Sequence, residues 1–362
     1  MGLTQTKYCT RCVTPSTRPR VTFNADGLCN ACQWHDKKQT VVDWEFKRHQ
    51  LEELCARYRW KDGGFDCIVP CSGGKDGSYV AWKLKHNYNM HPLCITFKPQ
   101  LQTAIGRINL ENFINSGFDH VTISPNLATY RLAAKKYFIE DGMPNQPFVT
   151  GISTALLQYA IKFDIGLIMY GECGEIEYGG ESKPVHKFNR DWLIDKYYEG
   201  VEPKEGGWWD LPSQRSLDSL HATWWSLYED FDFEHDARFA KEKTGLQMMV
   251  GGSIGTFSNY AQLDSAMQDL HTFMMFVKFG FGRCTSDASI EIRRGRMTRV
   301  EGVKVVNAID GQFPVEYLSL YLDYFEMTSD EFWGVIDSHL NVERLRHTGR
   351  LEKPFELMVP CK

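Results

Sequence analysis

Four short apolar runs, "FDCIVPC" (65–71), "HPLCITF" (91–97), "HVTIS" (120–124) and "IGLIMYG" (165–171), alternate along the chain with longer stretches of helical pattern. Runs this short, apolar on successive residues, read as strands covered on both faces. Between them lie "KDGSYVAWKLKHN", "TAIGRINLENFINSG", "LATYRLAAKKYFIE" and "FVTGISTALLQYAIKF", whose apolar residues recur at helical spacing. Alternating strands and helices build an α/β domain on a parallel sheet with helices on both faces, and right-handed crossovers restrict its topology. Ligands of such sheets bind beyond the carboxyl ends of the strands, so chemistry is expected just after each apolar run.

The remainder divides around this core. Residues 1–40 carry four cysteines among turn formers and cannot bury much apolar surface alone. Residues 41–64 include "VDWEFKRHQLEELCARYRW", an amphipathic connecting helix. The α/β domain is expected over 65–255, with an irregular insertion rich in Gly, Trp and acids from 172 onward, and a helical region over 256–362. Within that tail "TRVEG" and "TSDEF" read as helix starts, with Thr or Ser as cap and acids in the first turn. A chain of 362 residues, 43% hydrophobic, has ample core for this.

A net charge of −5 gives no electrostatic footprint for nucleic acid. No apolar stretch is long enough to span a bilayer, so no membrane insertion is expected. The start "MGLTQTKYC" lacks a signal-peptide core, although Gly2 and Thr6 fit the loose myristoylation pattern. With 11 cysteines and no Asn-x-Ser/Thr sequon, a cytoplasmic address is expected.

The N-terminal cysteines are spaced Cys9-x2-Cys12 and Cys29-x2-Cys32, with sixteen residues between the pairs. That spacing lets two bent C-x-x-C turns present four sulfurs to one Zn2+. Four thiolates leave no open coordination position, so the zinc is read as structural, and it supplies the folding energy the segment lacks. The other cysteines lack such spacing and read as small core residues.

The turn Ser72-Gly73-Gly74-Lys75-Asp76-Gly77-Ser78 follows the first strand and opens a helix. It is neither a Walker loop nor a dinucleotide fingerprint. Glycines let the backbone approach an oxyanion, and the N–H groups at a helix start point toward negative charge. Ser72 and Ser78 add hydroxyls and Lys75 a positive charge. Asp76 suits a phosphate only through a divalent cation, and is assigned to Mg2+.

With this turn the sequence resembles the PP-loop ATP pyrophosphatase superfamily, whose signature is S-G-G-x-D-S at the end of the first strand. Gly77 stands where that superfamily has Ser, with Ser78 one place later. The resemblance implies an adenine nucleotide α-hydrolase-like fold that splits ATP between the α and β phosphates. A narrower resemblance covers nearly the whole chain. "YCTRCVTPSTRPRVTFNADGLCNAC", "SGGKDGSY", "GISTALLQYAIKFDIGLIMYGECGEIEYGG", "VKFGFGRCTSDASIEIRRGRMTRVEG" and "AIDGQFP" are similar to the N-acetyl sugar amidotransferases of bacterial surface-polysaccharide pathways. In that family an acetamido group on a nucleotide-linked sugar becomes an acetamidino group, at the expense of ATP.

Site residues are placed on that frame by strand ends. Ser72 to Ser78, Phe97 (flanking adenine), Gly171 and Glu172 are expected to bind ATP, with Lys75 and Asp76 catalytic. Glu175 is the catalytic candidate of the following loop, where Glu175 or Glu177 binds metal, steers ammonia, or is an ordinary solvated carboxylate. Tyr178, Lys183 and His186 are candidates for the acceptor. Lys278 and Arg283 are candidates for its phosphates, as are Arg293, Arg294 and Arg296, against a reading as a solvated face.

No glutaminase nucleophile is apparent: "GECGE" around Cys173 departs from the nucleophile elbow. The family resemblance implies a separate glutaminase subunit supplying ammonia, with a cyclase-like channel protein between them. Trp208, Trp209, Trp224 and Trp225 are either part of that docking face or core. Rival readings are a tRNA-thiolating PP-loop enzyme, which needs a basic surface and reactive thiols beside the loop, with only Cys94 and Cys173 available, and a non-catalytic scaffold built on the zinc module.

Overall fold

The computed structural model describes residues 6–60, 63–179, 190–197 and 207–362. At its centre a five-stranded parallel sheet runs in the order β3-β2-β1-β4-β5. Its strands are β1 (Cys67–Pro70), β2 (Pro92–Phe97), β3 (His120–Ile123), β4 (Leu167–Tyr170) and β5 (His221–Trp224). The four apolar runs supply the first four. The fifth, four residues long inside the Trp-rich insertion, carries too little pattern to be seen in the sequence, yet Leu167 to Tyr170 pair with His221 to Trp224 in register.

Both faces of the sheet are covered, as the unbroken apolar runs require. Cys67 and Val69 face a cluster that includes α2 (Trp44–Tyr58) and α3 (Lys75–Asn87), through Leu51, Leu54, Val80 and Leu84. Ile68, between them in sequence, faces the opposite cluster with Leu93, Ile95 and Ile168. Successive side chains of a strand point to opposite faces. Two helices follow β2 and β3, α4 (Ala104–Asn115) and α5 (Leu127–Asp141), and α6 (Gln146–Lys162) precedes β4 and covers the second face.

Strand order turns at the β1/β4 boundary: from β1 the chain builds outward through β2 and β3, then returns to place β4 on the other side of β1. The crevice between the carboxyl ends of those two strands is the switch point where α/β sheets bind ligands.

The four-cysteine segment runs into α1 (Asn30–Thr40), whose N-cap is Cys29. Asp43 caps α2, its side chain accepting from the Phe46 amide at 3.0 Å. The described residues of the insertion carry more regular structure than its composition suggests. It holds α7 (Gly174–Glu177), α8 (Arg190–Tyr197), α9 (Gln214–Leu217) and α10 (Phe233–Thr244), the last packed along α3 through Tyr79, Trp82 and Phe239.

The C-terminal region is helical as expected, with α11 (Ala266–Phe279), α12 (Arg283–Arg293), α13 (Arg299–Ile309), α14 (Leu318–Phe325) and α15 (Ser329–Ser338). Thr298 with Glu301, and Thr328 with Glu331, form capping boxes at "TRVEG" and "TSDEF", where the sequence places helix starts. A small antiparallel pair, β6 (Leu345–His347) and β7 (Phe355–Leu357), completes it. Phe138 of α5 stacks on Phe325 with ring centroids 4.9 Å apart, fastening these helices to the sheet domain. Among the described residues no helix is long and apolar enough to cross a membrane.

Candidate active site at the β1/β4 switch

Two glycines of the turn, Gly73 and Gly77, are held where there is no room for a side chain. Gly73 has φ +81°, and a Cβ there would stand 2.5 Å from the backbone of Asn109 and Leu110 in α4. At Gly77 a Cβ would meet the Pro70 carbonyl oxygen at 2.5 Å, and at Gly171, beyond β4, it would approach the Asp76 Cβ to 2.9 Å. The turn is thus clamped between α4 and the end of β4, with Gly74 as the N-cap of α3.

Lys75 is buried, only 7% exposed. Its Nζ lies 2.5 Å from Asp76 Oδ2 and 4.7 Å from the centroid of the Phe233 ring. The other Asp76 oxygen, Oδ1, is buried and accepts no hydrogen bond. An unsatisfied carboxylate oxygen in the interior is costly unless a ligand completes it.

Further acids face this pair. Burial, then the charge of Asp76, pushes the Glu172 carboxyl up to about 7, against the opposing pull of Lys75 and Arg283. Asp236 of α10 is likewise pushed up to about 7, chiefly by burial, although His235 Nδ1 lies 2.9 Å from its Oδ1. Its Oδ2 is a second buried oxygen without a partner. Asp264 is raised by burial, tempered by its own backbone, the Ser72 hydroxyl and the charge of Lys75. Sequence reasoning misses Asp236 and Asp264. They lie far from the loop along the chain, and only the packing of α10 on α3, and of residue 264 against Gly106 of α4, brings them in. Carboxyl oxygens here outnumber cations, and Asp76 and Glu172 are the residues that could hold a hard divalent cation.

A cavity of about 170 Å³ opens beside the turn, bounded by Ser72, Thr96, Phe97, Phe148, Ile152 and Asp264. Phe97 forms its wall at the end of β2. Its ring lies against Gly151 of α6, where any Cβ would come within 2.3 Å of it.

Other expected residues fall elsewhere. Ser78 is 0% exposed, with its Oγ 3.9 Å from Cys71 Sγ; the first turn of α3 directs it beneath the loop, away from the open side. Lys278 is tied to the Asp141 carbonyl oxygen through its Nζ, and its own carbonyl accepts from Asn341; no described contact joins it to the turn. Arg294 bonds both oxygens of Asp230, at 2.7 and 2.8 Å, and Arg296 bonds Asp232 and Glu291, so their charges are spent on internal pairs. Lys183, His186 and the side chain of Glu175 lie outside the described residues.

Tyr178 and Arg283 do come to the site. Arg283, at the start of α12, pairs with Asp287 at 2.9 Å and feels the charges of Tyr178 and Glu172. Arg18, which carries no signal in the sequence, joins them from the N-terminal module. Its guanidinium lies over Tyr178 at 5.5 Å and Phe281 at 5.2 Å. Burial, with Arg293 and Arg283 nearby, lowers it to about 10.

The four cysteines of the module converge. Cys9, Cys12, Cys29 and Cys32 are fully buried, with all sulfurs within 4.8 Å of one another. The Cys9–Cys32 and Cys12–Cys29 separations of 3.7 Å exclude disulfides. They match the edge of about 3.8 Å that four Zn–S bonds make in a tetrahedron. This set is consistent with a closed zinc site.

The module is locked to the sheet domain by a buried network. Lys38 of α1, 2% exposed, lies 2.9 Å from Glu177 Oε2 and 3.3 Å from Asp230 Oδ1, while Trp34 Nε1 donates to Glu177 Oε1 at 3.0 Å. Glu177 is therefore neither solvated nor aimed at the turn; it anchors the loop after β4 to α1. Of the tryptophans, Trp225 is fully buried while Trp209 and Trp224 are half-buried. Trp209 meets Phe97 edge to face with centroids 5.9 Å apart and donates to the Pro147 carbonyl, and Trp224 stacks on Tyr170. The side chain of Trp208 lies outside the described residues.

Comparison with known proteins bears on the C-terminal third. Residues 254–350, which include Asp264, Arg283 and Arg293, match the family described as "LPS biosynthesis protein WbpG-like, C-terminal domain". No curated protein matches. Among solved structures the chain is similar to NMN synthetase from Francisella tularensis, at 12% identity over 64% of this chain and 93% of that one, with a TM-score of 0.27.

Proposed function

We propose that the protein is an AMP-forming amidotransferase acting on a nucleotide-activated N-acetyl sugar in surface-polysaccharide biosynthesis. The observation that carries the reading is the Lys75–Asp76 pair on a glycine turn at the sheet's switch point, with one aspartate oxygen buried and unbonded. A phosphate chain needs backbone donors, a cation and a carboxylate-held Mg2+; this turn offers the first two and a carboxylate that would hold the third. The match of residues 254–350 to a lipopolysaccharide-biosynthesis family supports the pathway.

The chemistry follows from what an amide lacks. Its carbonyl oxygen is a poor leaving group toward ammonia. Attack of that oxygen on the α-phosphorus of ATP forms an O–P bond and releases pyrophosphate, giving an O-adenylyl imidate. Ammonia then adds at carbon, and AMP departs carrying the oxygen, leaving the amidine. Lys75 and the loop amides stabilise the departing pyrophosphate by fixed charges and dipoles. Asp76 and Glu172 would hold the Mg2+ that neutralises the phosphates. The cavity walled by Phe97 suits the adenine ring. Ammonia would arrive from a separate glutaminase subunit, through a cyclase-like channel protein.

Thiol chemistry has less support: burial pushes Cys71, in the cavity wall, up to about 12, and Cys94 well above the usual thiol range. The test incubates the protein with MgATP, ammonium salt and a panel of nucleotide-linked N-acetyl sugars. AMP formation together with a sugar in which NH has replaced O by mass supports the proposal. Formation of ADP, or of AMP with no change in any sugar, overturns it.

A further inference from the structure

Arg18 is a cation held away from acids. Its Nη1 donates to Ser286 Oγ at 3.0 Å, and among the described residues no carboxylate pairs with it. The rings of Tyr178 and Phe281 fix the guanidinium. Two further arginines, Arg283 and Arg293, stand close enough for their charges to oppose it. Arg293 is engaged, donating to the Glu177 carbonyl oxygen beside the cysteine cluster. Arg283 has Asp287. Of the three, the Arg18 guanidinium alone has neither a carboxylate nor a carbonyl partner among the described residues, and a guanidinium so placed in a partly desolvated site is unfavourable unless an anion joins it.

The position of this charge is informative. Arg18 touches Tyr178; Tyr178 and Phe233 have centroids 5.7 Å apart; and Lys75 lies over Phe233. One row of rings connects the arginine of the cysteine module to the lysine of the phosphate turn. An anion at Arg18 would thus be separate from one at Lys75, yet on the same face of the switch point.

We infer that Arg18 and Arg283 receive the diphosphate of the acceptor, a nucleoside diphosphate sugar, so that the four-cysteine module supplies one wall of the acceptor site. The inference rests on the proposed acceptor class. The guanidinium fork matches phosphate oxygens in two-point contact, and the flanking rings leave Arg18 few other orientations.

The test titrates the full-length protein, with zinc content verified and the turn occupied by Mg2+ and α,β-methylene-ATP, with UDP, GDP, CDP, dTDP and UDP-N-acetylglucosamine by calorimetry. At least one nucleoside diphosphate binds the wild type. Arg18→Gln, which keeps the bulk between the rings, weakens that binding about tenfold or more, and Arg18→Lys recovers part of the loss. Zinc content and affinity for the ATP analogue stay unchanged in both variants. Wild-type affinity in Arg18→Gln, an equal loss of ATP-analogue affinity, or no diphosphate binding to the wild type overturns the inference. The two readings fail separately. Amidine formation with an unaltered acceptor KM in Arg18→Gln sinks this one alone, while Arg18-dependent diphosphate binding without AMP formation sinks only the proposed reaction.

Discussion

Glu172, one residue past the glycine that follows β4, has its carboxyl pushed up to about 7 by burial and by the charge of Asp76 from the first turn of α3. The two carboxylates reach this proximity because β1 and β4 are neighbours in the sheet, although nearly a hundred residues separate them in the chain. A pair so placed favours a shared proton, and under the proposed function a Mg2+ would compete for it.

That competition fixes a pH dependence. The folded pKa of Glu172 and of Asp236, each about 7, lies above the unfolded carboxylate range near 4. A raised carboxylate stabilises the metal-free fold at low pH, and the contribution is lost as pH rises through 7. Mg2+ requires the ionised form. The melting-temperature increase produced by Mg2+ should therefore be small at pH 5.5 and grow by pH 8, and Glu172→Gln should flatten that growth. A Mg2+ effect equal at both pH values would contradict the assignment.

Lys75→Ala should lower the rate of AMP formation by about a hundred- to a thousandfold, the usual cost of removing one fixed donor to developing charge. Asp76→Asn should act similarly while weakening the dependence on Mg2+. Each variant also breaks the Lys75–Asp76 pair from one side, which costs stability, so the assay is run well below the melting temperature measured for each variant. Turnover within twofold of wild type in either variant, measured by AMP release, would refute the roles given to them.

Gly77 is the position where the PP-loop signature has serine, and the structure gives a reason for the departure. A Cβ at 77 would stand 2.5 Å from the Pro70 carbonyl oxygen and 2.7 Å from Cys71 Cα, so restoring the signature residue forces the strand end and the helix apart. Gly77→Ser should destabilise the protein by about 1–3 kcal/mol, as overpacking does, and should not raise activity. Denaturant unfolding measures the first outcome and AMP release the second.

The four apolar runs reveal the sheet core because strands buried on both faces must be apolar throughout, and Cys-x2-Cys twice reveals the metal set because ligand spacing is local. Capping boxes are equally local. What stays hidden comes from packing between distant segments. The strand at His221–Trp224 takes its place only because β4 presents a free edge to it. Asp236 and Asp264 become site residues only when α10 lies on α3 and residue 264 lies on α4. Arg18 sits in a loop whose composition says nothing of Tyr178. Conversely, Lys278 and Ser78 have suitable chemistry in suitable motifs, but a helix turns each toward a different neighbour.

The latch between the cysteine module and the sheet domain provides the last test. Lys38 and Glu177 are 2% and 8% exposed and 2.9 Å apart, with Asp230 as a third member. Replacing Lys38 by methionine leaves two carboxylates short of a cation, Glu177 in the interior and Asp230 still held by Arg294. Breaking a buried pair from one side costs about 3–5 kcal/mol, so Lys38→Met should unfold at markedly lower denaturant. Lys38→Met with Glu177→Gln removes the stranded charge and should recover much of the loss, since the amide oxygen introduced by Glu177→Gln still accepts from Trp34. The loop after β4 hangs from this contact, and with it Tyr178. If the latch positions that loop, the double variant regains stability but keeps a raised KM for the acceptor, with the KM for ATP near wild type. Full recovery of both would show that the contact serves stability alone.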